Sequence, residues 1–532
     1  MLAGIIFFLF FWAFGTPNLS PEFGILPLLL LGAGLVWTFV AFSTESNEAS
    51  QWGSITLTSV SAVWLAGLLV ASLPAFRADS YRAVIGNVET AESTASGKLE
   101  KVSDPSHIRT VDIETARSVM TKKLGEVQAL GSQFSLGDPD VQRVGSGLYW
   151  VAPLEYRGFF KWSSSDGVPA YAMVSASDQG DAKLVTSYGS GNSVKLKYSP
   201  SAFFGEDLKR HVYFSGYMAR GLADYSFEVD DAGKPYWVIT TFVKKVGIGG
   251  SDADGVVVVD AETGSTKWYA TADVPEWVDR VQPESFVAEQ LDDWGEYVHG
   301  WANPSNKDRL QLTTRDLRLT YGTDGRPYWY AGVANYGAPD SSVNGFVLVD
   351  TVTKKATFHK ESGASETAAQ RSAEGKVQQM GYVATNPVLY SVAGTPTYVM
   401  ALKDKAGLMK QVAFVSVKDF SVVGIGETSE EAYGKYRKEM SSNRNASAPG
   451  PSDGSKEFSG KVSRVSPYSR SGDTEVLFVS GGKKFTVSAF HFPEAAMLRD
   501  GDSVKIRYSE DDRQKGFYRV SSFEGAALTE TK

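Results

Sequence analysis

GKPYWVIT, residues 233–240, joins a turn to the start of a β-strand. Gly233 tolerates positive φ and Pro235 fixes φ at about −65°. Tyr236 to Thr240 are aromatic or β-branched, which favours a strand. A Tyr-Trp pair beside Lys234 also fits a ligand-binding surface. The stretch predicts a hairpin turn followed by a strand, with Tyr236 and Trp237 on opposite faces of the sheet. One of the two rings is expected beneath a helix, and the other is expected to be exposed or to contact a neighbouring unit.

The same Gly-x-Pro turn, followed closely by Tyr and an apolar strand, occurs at three other places: GVPAYAMV (167–174), GRPYWYAG (325–332) and GTPTYVMA (394–401). A second apolar strand follows each turn, the clearest being GVVVVDAETG (255–264) and GFVLVDTVTK (345–354). The recurrence favours architecture over a ligand site for GKPYWVIT, because a repeated pattern marks a repeated structural unit.

Amphipathic helix patterns precede these strands, most clearly at 283–301, where Val287, Leu291 and Trp294 follow the helical period. A helix on one face of an antiparallel sheet is a self-consistent layer. We therefore predict an α+β fold with four helix-plus-sheet units, at residues 108–198, 199–274, 275–360 and 361–440.

The segment from Pro235 to Gly264, ending VVVDAETG, resembles the PepSY domain family. The third unit matches less closely, since Lys354 stands where the final Gly would be, and the first and fourth units lack the Asp-x-x-Thr-Gly ending. The resemblance implies a helix packed on a small antiparallel sheet. It also implies an inhibitory or interaction module, commonly outside the cytoplasm, with no catalytic residues of its own.

The first 76 residues contain no Lys or Arg and hold three apolar runs. Residues 24–42 and 55–76 are long enough to span a bilayer, whereas 2–14 are short. We predict a transmembrane segment at 1–76 with two or three helices, in a bacterial cytoplasmic membrane, followed by a polar stalk at 77–107. Arg77 and Arg82 favour a cytoplasmic body by the positive-inside rule. The PepSY resemblance favours the opposite side.

Ser, Asn, Gly and Pro dominate residues 441–456, which we interpret as a linker. Five short alternating strands are predicted at 457–532, as in a small barrel of the OB or SH3-like kind. Such barrels often bind nucleic acid. Acidic residues offset the basic ones here, so we expect no nucleic-acid partner.

Composition and motifs exclude several chemistries. The chain has no Cys, and its five His residues lack metal-ligand spacing, so we expect no catalytic or metal residues and no cofactor. Two Gly/Asp-rich segments, 247–255 and 336–342, are predicted long loops. With the nearby tryptophans they predict a contact surface, whose candidate residues are Asp252, Asp254, Trp277, Trp294, Trp301 and Asp340.

These features predict a membrane-anchored, non-enzymatic interaction, scaffold or inhibitory protein of the bacterial envelope. Its expected partners are the lipid bilayer and another envelope or membrane protein. One alternative is a membrane-tethered glycan or peptide hydrolase with carboxylates near Trp277–Trp301. There, Glu276 or Asp279 would face Glu289 or Asp293. The other alternative is nucleic-acid binding by the C-terminal barrel.

Overall fold

The computed structural model describes residues 2–91, 97–337, 342–442, 456–470, 473–488, 492–510 and 516–525. It shows apolar helices at the N-terminus, four antiparallel sheets with associated helices, and a closed barrel near the C-terminus. Most of the predicted linker, and Asp340, lie outside the described residues.

The N-terminal segment forms four helices: α1 (Leu2–Gly15), α2 (Ile25–Ser43), α3 (Glu48–Ala71) and α4 (Pro74–Arg82). The side chain of Asn47 accepts the Ser50 N–H and caps α3, which therefore starts before the predicted apolar run. Helices α2 and α3 are long and apolar enough to cross a membrane, and few of their residues are buried in the protein. Val63 on α3, for example, is 73% exposed.

The first sheet comes after β1 (Val88–Ala91), a strand that belongs to another sheet, and packs on α5. Its elements are α5 (Ile113–Glu126), α6 (Gln128–Gly131), β2 (Phe134–Leu136), β3 (Asp140–Val144), β4 (Gly147–Tyr156), α7 (Phe159–Ser163), β5 (Tyr171–Ser175) and β6 (Lys183–Val185), and a small pair β7 (Ser187–Tyr188) and β8 (Asn192–Ser193) follows. The strand order is β2-β4-β5-β6, with β3 on β4. Ala116, Met120 and Leu124 of α5 are buried at helical spacing.

The second sheet contains the GKPYWVIT stretch. Its elements are α8 (Leu208–Val212), β9 (Gly221–Val229), β10 (Pro235–Val246), β11 (Gly249–Asp260) and β12 (Thr266–Ala270) in the order β12-β11-β10-β9. Gly233 has φ +81°, as the predicted turn requires. Trp237 is buried and Tyr236 stacks on Trp277 at 4.9 Å between ring centroids. The prediction of opposite faces is confirmed.

The predicted long loop at 247–255 is mostly strand. Gly249 to Gly255 belong to β11, and only Gly247 and Ile248 form the turn between β10 and β11. Pairing with β10 keeps this segment in a strand despite its turn-like composition. The ion pairs of Asp252 and Asp254 offset the low strand preference of Asp.

The third sheet includes β1 as an edge strand. Its elements are α9 (Glu284–Glu296), β13 (Leu310–Leu312), β14 (Arg318–Tyr321), β15 (Pro327–Asn335), β16 (Ser342–Val343), β17 (Gly345–Asp350), β18 (Ala356–His359) and β19 (Gly363–Ala364). The order is β1-β18-β17-β15-β13, with β14 on β15, and β16 pairs with β19. The α9 residues Val287 and Leu291 are buried.

Residues 77–91 and 97–107 pack into the body, which differs from the stalk predicted at 77–107. Strand β1 runs parallel to β18, and Leu99 is fully buried. The Glu100 N–H donates to the Tyr321 carbonyl (2.9 Å), and the Val102 N–H donates to the Ser391 carbonyl (3.0 Å). Several apolar side chains of this polar segment are buried, and Leu99 among them lies between the third and fourth sheets.

The fourth sheet and the barrel complete the chain. The sheet elements are α10 (Glu366–Lys376), β20 (Val383–Ala384), β21 (Val388–Val392), β22 (Thr395–Lys403), β23 (Met409–Ser416), β24 (Val423–Gly426) and α11 (Ser429–Ser442). The order is β20-β22-β23-β24, with β21 on β22. The barrel strands are β25 (Lys456–Arg470), β26 (Asp473–Ser480), β27 (Lys483–Ser488), β28 (Ser503–Glu510) and β29 (Phe517–Gly525). Its closed order β25-β26-β27-β29-β28 is consistent with the predicted OB-type barrel.

We expect Leu99→Ala to destabilise the protein by about 2–5 kcal/mol, because it opens a cavity between the third and fourth sheets. Thermal and urea unfolding of the detergent-solubilised chain measure the loss. Leu408→Ala is the control, since that side chain is exposed. Equal stability of the two variants would mean that residues 77–107 form a loose stalk.

Candidate polar cleft around Arg280

The centre of the candidate site is Arg280, in an irregular segment between β12 and α9. The backbone of this segment is fixed to the third sheet, because the Val281 and Gln282 N–H groups both donate to the Thr351 carbonyl (2.9 and 2.8 Å). Arg280 is thereby held where the first three sheets meet.

The Arg280 guanidinium lies among acidic side chains. Its Nη2 is 2.7 Å from Asp140 Oδ1 on β3. Burial alone would lower the pKa of Arg280, but the carboxylates of Asp140, Asp224 and Glu228 reverse the effect and raise it. The guanidinium is therefore always charged, and its partners come from two different sheets.

Glu228 on β9 is fully buried beside this cation. Burial raises the pKa of its carboxyl to about 8, although Arg280 opposes the shift. The Ser226 hydroxyl donates to Glu228 Oε1 (2.9 Å), and the Asp279 N–H donates to Oε2 (3.3 Å). These bonds satisfy the carboxyl and join β9 to the Arg280 segment.

Asp279 continues the network toward the first and third sheets. Its carboxylate accepts the Arg143 N–H (2.8 Å) from β3 and the Tyr321 hydroxyl (3.4 Å) from β14. Burial nevertheless raises the pKa of Asp279. One buried polar network therefore connects three sheets, which is a costly arrangement unless every member is paired.

A polar cleft of about 430 Å³ opens beside the network. It is lined by Ala223, Asp224, Arg280, Pro283, Glu284, Ser285, Arg315, Asp316 and Trp329. The Trp329 indole N–H donates to the Gln282 carbonyl (2.8 Å), which fixes the ring. The lining offers carboxyl and guanidinium groups together, as suits a polar ligand or a polar side chain of a partner.

Asp224 is directed toward this cleft by a β-bulge. The β9–β10 register skips it: Tyr225 lies opposite Ile239, and Ala223 lies opposite Thr240. Its φ of +49° is strained for a residue other than glycine. Bulges of this kind redirect side chains and are frequent near functional sites.

Two cleft carboxyls have perturbed acidity. Desolvation in the cleft raises the pKa of Asp224, although the residue as a whole is exposed, and Arg280 opposes that shift. Burial also raises the pKa of Glu284 at the start of α9, and Arg318 opposes that shift. Both carboxyls therefore release their protons at a higher pH than ordinary carboxyls do.

The structure gives the predicted contact residues separate surroundings. Asp252 pairs with Lys354, and Asp254 pairs with Arg220 at 2.9 Å. The Trp277 ring stacks on Tyr236, and the Trp294 ring lies 5.9 Å from that of Phe358. Trp301 is 61% exposed. None of these five residues lines the cleft.

The carboxylates predicted for a hydrolase also lie outside the cleft. Glu276 and Glu289 are exposed, whereas Asp279 is buried in the network. Asp293 is half-buried on α9, where burial and the nearby Glu289 raise its pKa to about 7. Among the residues that the structure describes, no three His, Asp or Glu side chains are placed to hold a metal ion.

Sequence reasoning did not find Asp224 or Glu284. Asp224 stands in a strand-like run, and only the pairing register shows that it is the bulged residue. Arg280 directly follows the Glu276–Asp279 segment. The only sequence signal for it was a basic residue placed after residues of types that are usually buried.

No family model matches the chain, and no curated protein matches it. Three solved structures show weak similarity. They are a putative glycosidase from Bacteroides thetaiotaomicron (8% identity, 56% of this chain and 73% of that one, TM-score 0.17), a GH32 β-fructofuranosidase from Bombyx mori (10%, 79% and 70%, 0.18), and an exo-1,5-α-L-arabinanase from a bovine ruminal metagenomic library (11%, 73% and 96%, 0.17). TM-scores this low do not establish a shared fold.

Glu228 makes stability depend on pH. Its pKa is about 8 in the folded protein against an ordinary value of 4.5, so the folded state holds a proton that the unfolded chain has released. Stability therefore falls as pH rises through this window, by up to about 1.4 kcal/mol per pH unit. We expect the stability of Glu228→Gln, relative to that of the wild type, to increase as the pH rises from 5 to 8.

Thermal unfolding at a series of pH values measures this gain. The control is Glu276→Gln, whose carboxyl is exposed. A constant difference between Glu228→Gln and the wild type across the pH range would contradict the assignment.

Proposed function

We propose that this chain is a membrane-anchored, non-enzymatic interaction or inhibitory scaffold of the bacterial envelope, with another envelope or membrane protein as its partner. The observation that carries the proposal is the attachment of the four-sheet body to the ends of the apolar helices. A body held in this way presents its surfaces at a fixed place beside the bilayer.

Contacts to each of the apolar helices make this attachment. After α1, the Tyr213 hydroxyl donates to the Pro17 carbonyl (2.8 Å), and the Leu19 N–H donates to the Met218 carbonyl (2.9 Å). At the end of α3, Ser72 Oγ accepts the Ile248 N–H (2.8 Å) from the β10–β11 turn. A side chain on Gly24, just before α2, would lie only 3.1 Å from Ile248.

Shared cores make the body a single unit. One apolar core runs through the first three sheets, and another joins the third sheet to the fourth. The PepSY resemblance supports contact as the mode of action, since such modules work by binding. In this proposal the polar cleft and the exposed Trp301 are the contact surfaces.

Charge supports a cytoplasmic position for the body. Arg77 and Arg82 lie on the body side of the helices, whereas the turn between α2 and α3 carries Glu45 and Glu48 and no basic residue. The positive-inside rule places the basic side in the cytoplasm. The PepSY resemblance favours the outer side, so the two supports disagree on this point.

Two cysteine substitutions, combined for a distance measurement and used singly for labelling, test both points, because the chain has no Cys. Glu48→Cys lies at the start of α3, and Val383→Cys is exposed on β20. With spin labels on both positions in a nanodisc, we expect one narrow distance distribution. A broad distribution in the wild-type background would contradict a fixed body.

The same positions report the side of the membrane. A membrane-impermeant maleimide on intact cells should label Glu48→Cys and leave Val383→Cys unlabelled until the cells are permeabilised. The reverse pattern would place the body outside the cytoplasm.

One observation favours the hydrolase alternative: Asp224 and Glu284 bring two carboxyls with raised pKa into one cleft. Glycoside hydrolysis needs one protonated and one ionised carboxyl. Glu284 lies in the Trp277–Trp301 region, although neither residue is among the four originally predicted.

If the cleft is catalytic, Glu284→Gln should lower hydrolysis of peptidoglycan or peptide substrates by at least about 100-fold, as loss of a general acid does. The exposed Glu289→Gln is the control. We expect no such activity in the wild type. Wild-type hydrolysis that Glu284→Gln abolishes would contradict the scaffold proposal and support the hydrolase alternative.

For the nucleic-acid alternative, two basic side chains of the barrel are already engaged. Lys483 Nζ donates to the Tyr508 hydroxyl (2.6 Å), and Arg507 donates to Glu457 (2.6 and 2.8 Å). The barrel therefore enters the proposal as a protein-contact module.

A further inference from the structure

A cluster of aromatic side chains is exposed beside the first sheet. It comprises Phe159, Phe160 and Trp162 of α7 with Phe203 and Phe204, and we call it the aromatic patch. Their ring centroids lie 5.4–6.2 Å apart. Phe160 is 82% exposed and Phe204 is 69% exposed. Contiguous exposed apolar groups of this size mark an interaction site.

The backbone holds these rings outward. Gly158, with φ +90°, starts α7, and Phe204 itself adopts φ +55°, a left-handed conformation that a bulky residue rarely takes. The Trp162 indole N–H donates to Glu206 Oε2 (2.6 Å), which fixes the centre of the patch. Strain that keeps a large apolar side chain in solvent indicates a function for the exposed ring.

The patch is joined to the end of α1 through α8. Phe204 is four residues before α8, where Arg210 Nη1 donates to the Ala13 carbonyl (2.7 Å) in the last turn of α1. Just after α8, the Phe214 ring meets Trp12 edge-on at 5.5 Å. A short segment therefore leads from the patch directly to an apolar helix.

This end of α1 lies at the level of the membrane surface if α2 and α3 span the bilayer. A Cβ on Gly4 would lie 2.8 Å from the Ala33 carbonyl oxygen, and one on Gly32 would lie 2.9 Å from Phe7. Helix α1 therefore runs antiparallel to α2 and ends near the start of α2. The α1 helix is about 21 Å long, at about 1.5 Å per residue, and does not cross a core of about 30 Å by itself. Its attachment to Phe214 and Arg210 places those residues at the interface.

We propose that the aromatic patch is a second bilayer contact, which inserts into the interfacial layer on the body side of the membrane. The inference rests on the proposed membrane anchor. Aromatic residues concentrate at that layer, and the exposed Lys161 and Lys209 flank the patch, where their amines can reach lipid headgroups. The connection to α1 through α8 favours lipid over a protein partner as the occupant.

The test uses the full chain in nanodiscs of phosphatidylethanolamine and phosphatidylglycerol. A polarity-sensitive fluorophore is attached at Phe160→Cys, and nitroxide lipids quench it according to depth. Val383→Cys on the fourth sheet is the exposed control, and Val63→Cys on α3 reports the anchor. We expect nitroxide lipid to quench Phe160→Cys at least about twofold more than Val383→Cys.

The outcomes separate the two proposals. Quenching at Val63→Cys with none at Phe160→Cys would overturn the patch and leave the anchor. No quenching at Val63→Cys would overturn the anchor and the patch with it. A blue-shifted Phe160→Cys signal that is not quenched, and that disappears in discs holding one copy, would assign the patch to contact between copies and overturn the lipid assignment.

Discussion

The largely buried Arg280 guanidinium needs the Asp140 carboxylate beside it, and the hydrogen-bond network around this pair connects the first three sheets. Arg280 is paired with Asp140 of the first sheet and lies beside Glu228 of the second. Asp279 next to it binds Tyr321 of the third. Separating any of these sheets would leave a charge in a dry interior, which costs more than the pairing gains. The cleft therefore has walls that cannot move apart independently.

Two of the four Gly-x-Pro turns carry the same ion pair. Lys234 and Arg326 occupy the same place in the Gly-x-Pro turn, and each pairs with the Asp that closes the next long strand, Asp260 at 2.6 Å and Asp350 at 2.8 Å. The first and fourth units have Val168 and Thr395 at that place and cannot form the pair. The two turns with this ion pair belong to the second and third sheets.

Local sequence patterns predicted the helices and strands, whereas the residues of the cleft are brought together by strand pairing between distant parts of the chain. The GKPYWVIT turn, the apolar helices and the barrel strands follow from residues close in sequence. Asp224 enters the cleft through a bulge, which depends on register with β10 rather than on its neighbours. Leu99 shows the same limit, because a single apolar residue in a polar segment gives no periodic signal. Asp254 likewise lies in a strand that its own Gly/Asp-rich surroundings do not favour.

The N-terminal apolar helices and the body satisfy each other's exposed groups. The last carbonyls of a helix have no partners within it, and Arg210 supplies one for α1. On the body side, the Phe242 ring packs on Phe23, and burial among these rings lowers the pKa of Lys244 although Glu289 opposes the shift. A body without residues 1–76 would expose these apolar contacts. The apolar helices and the body are therefore packed together as one folding unit.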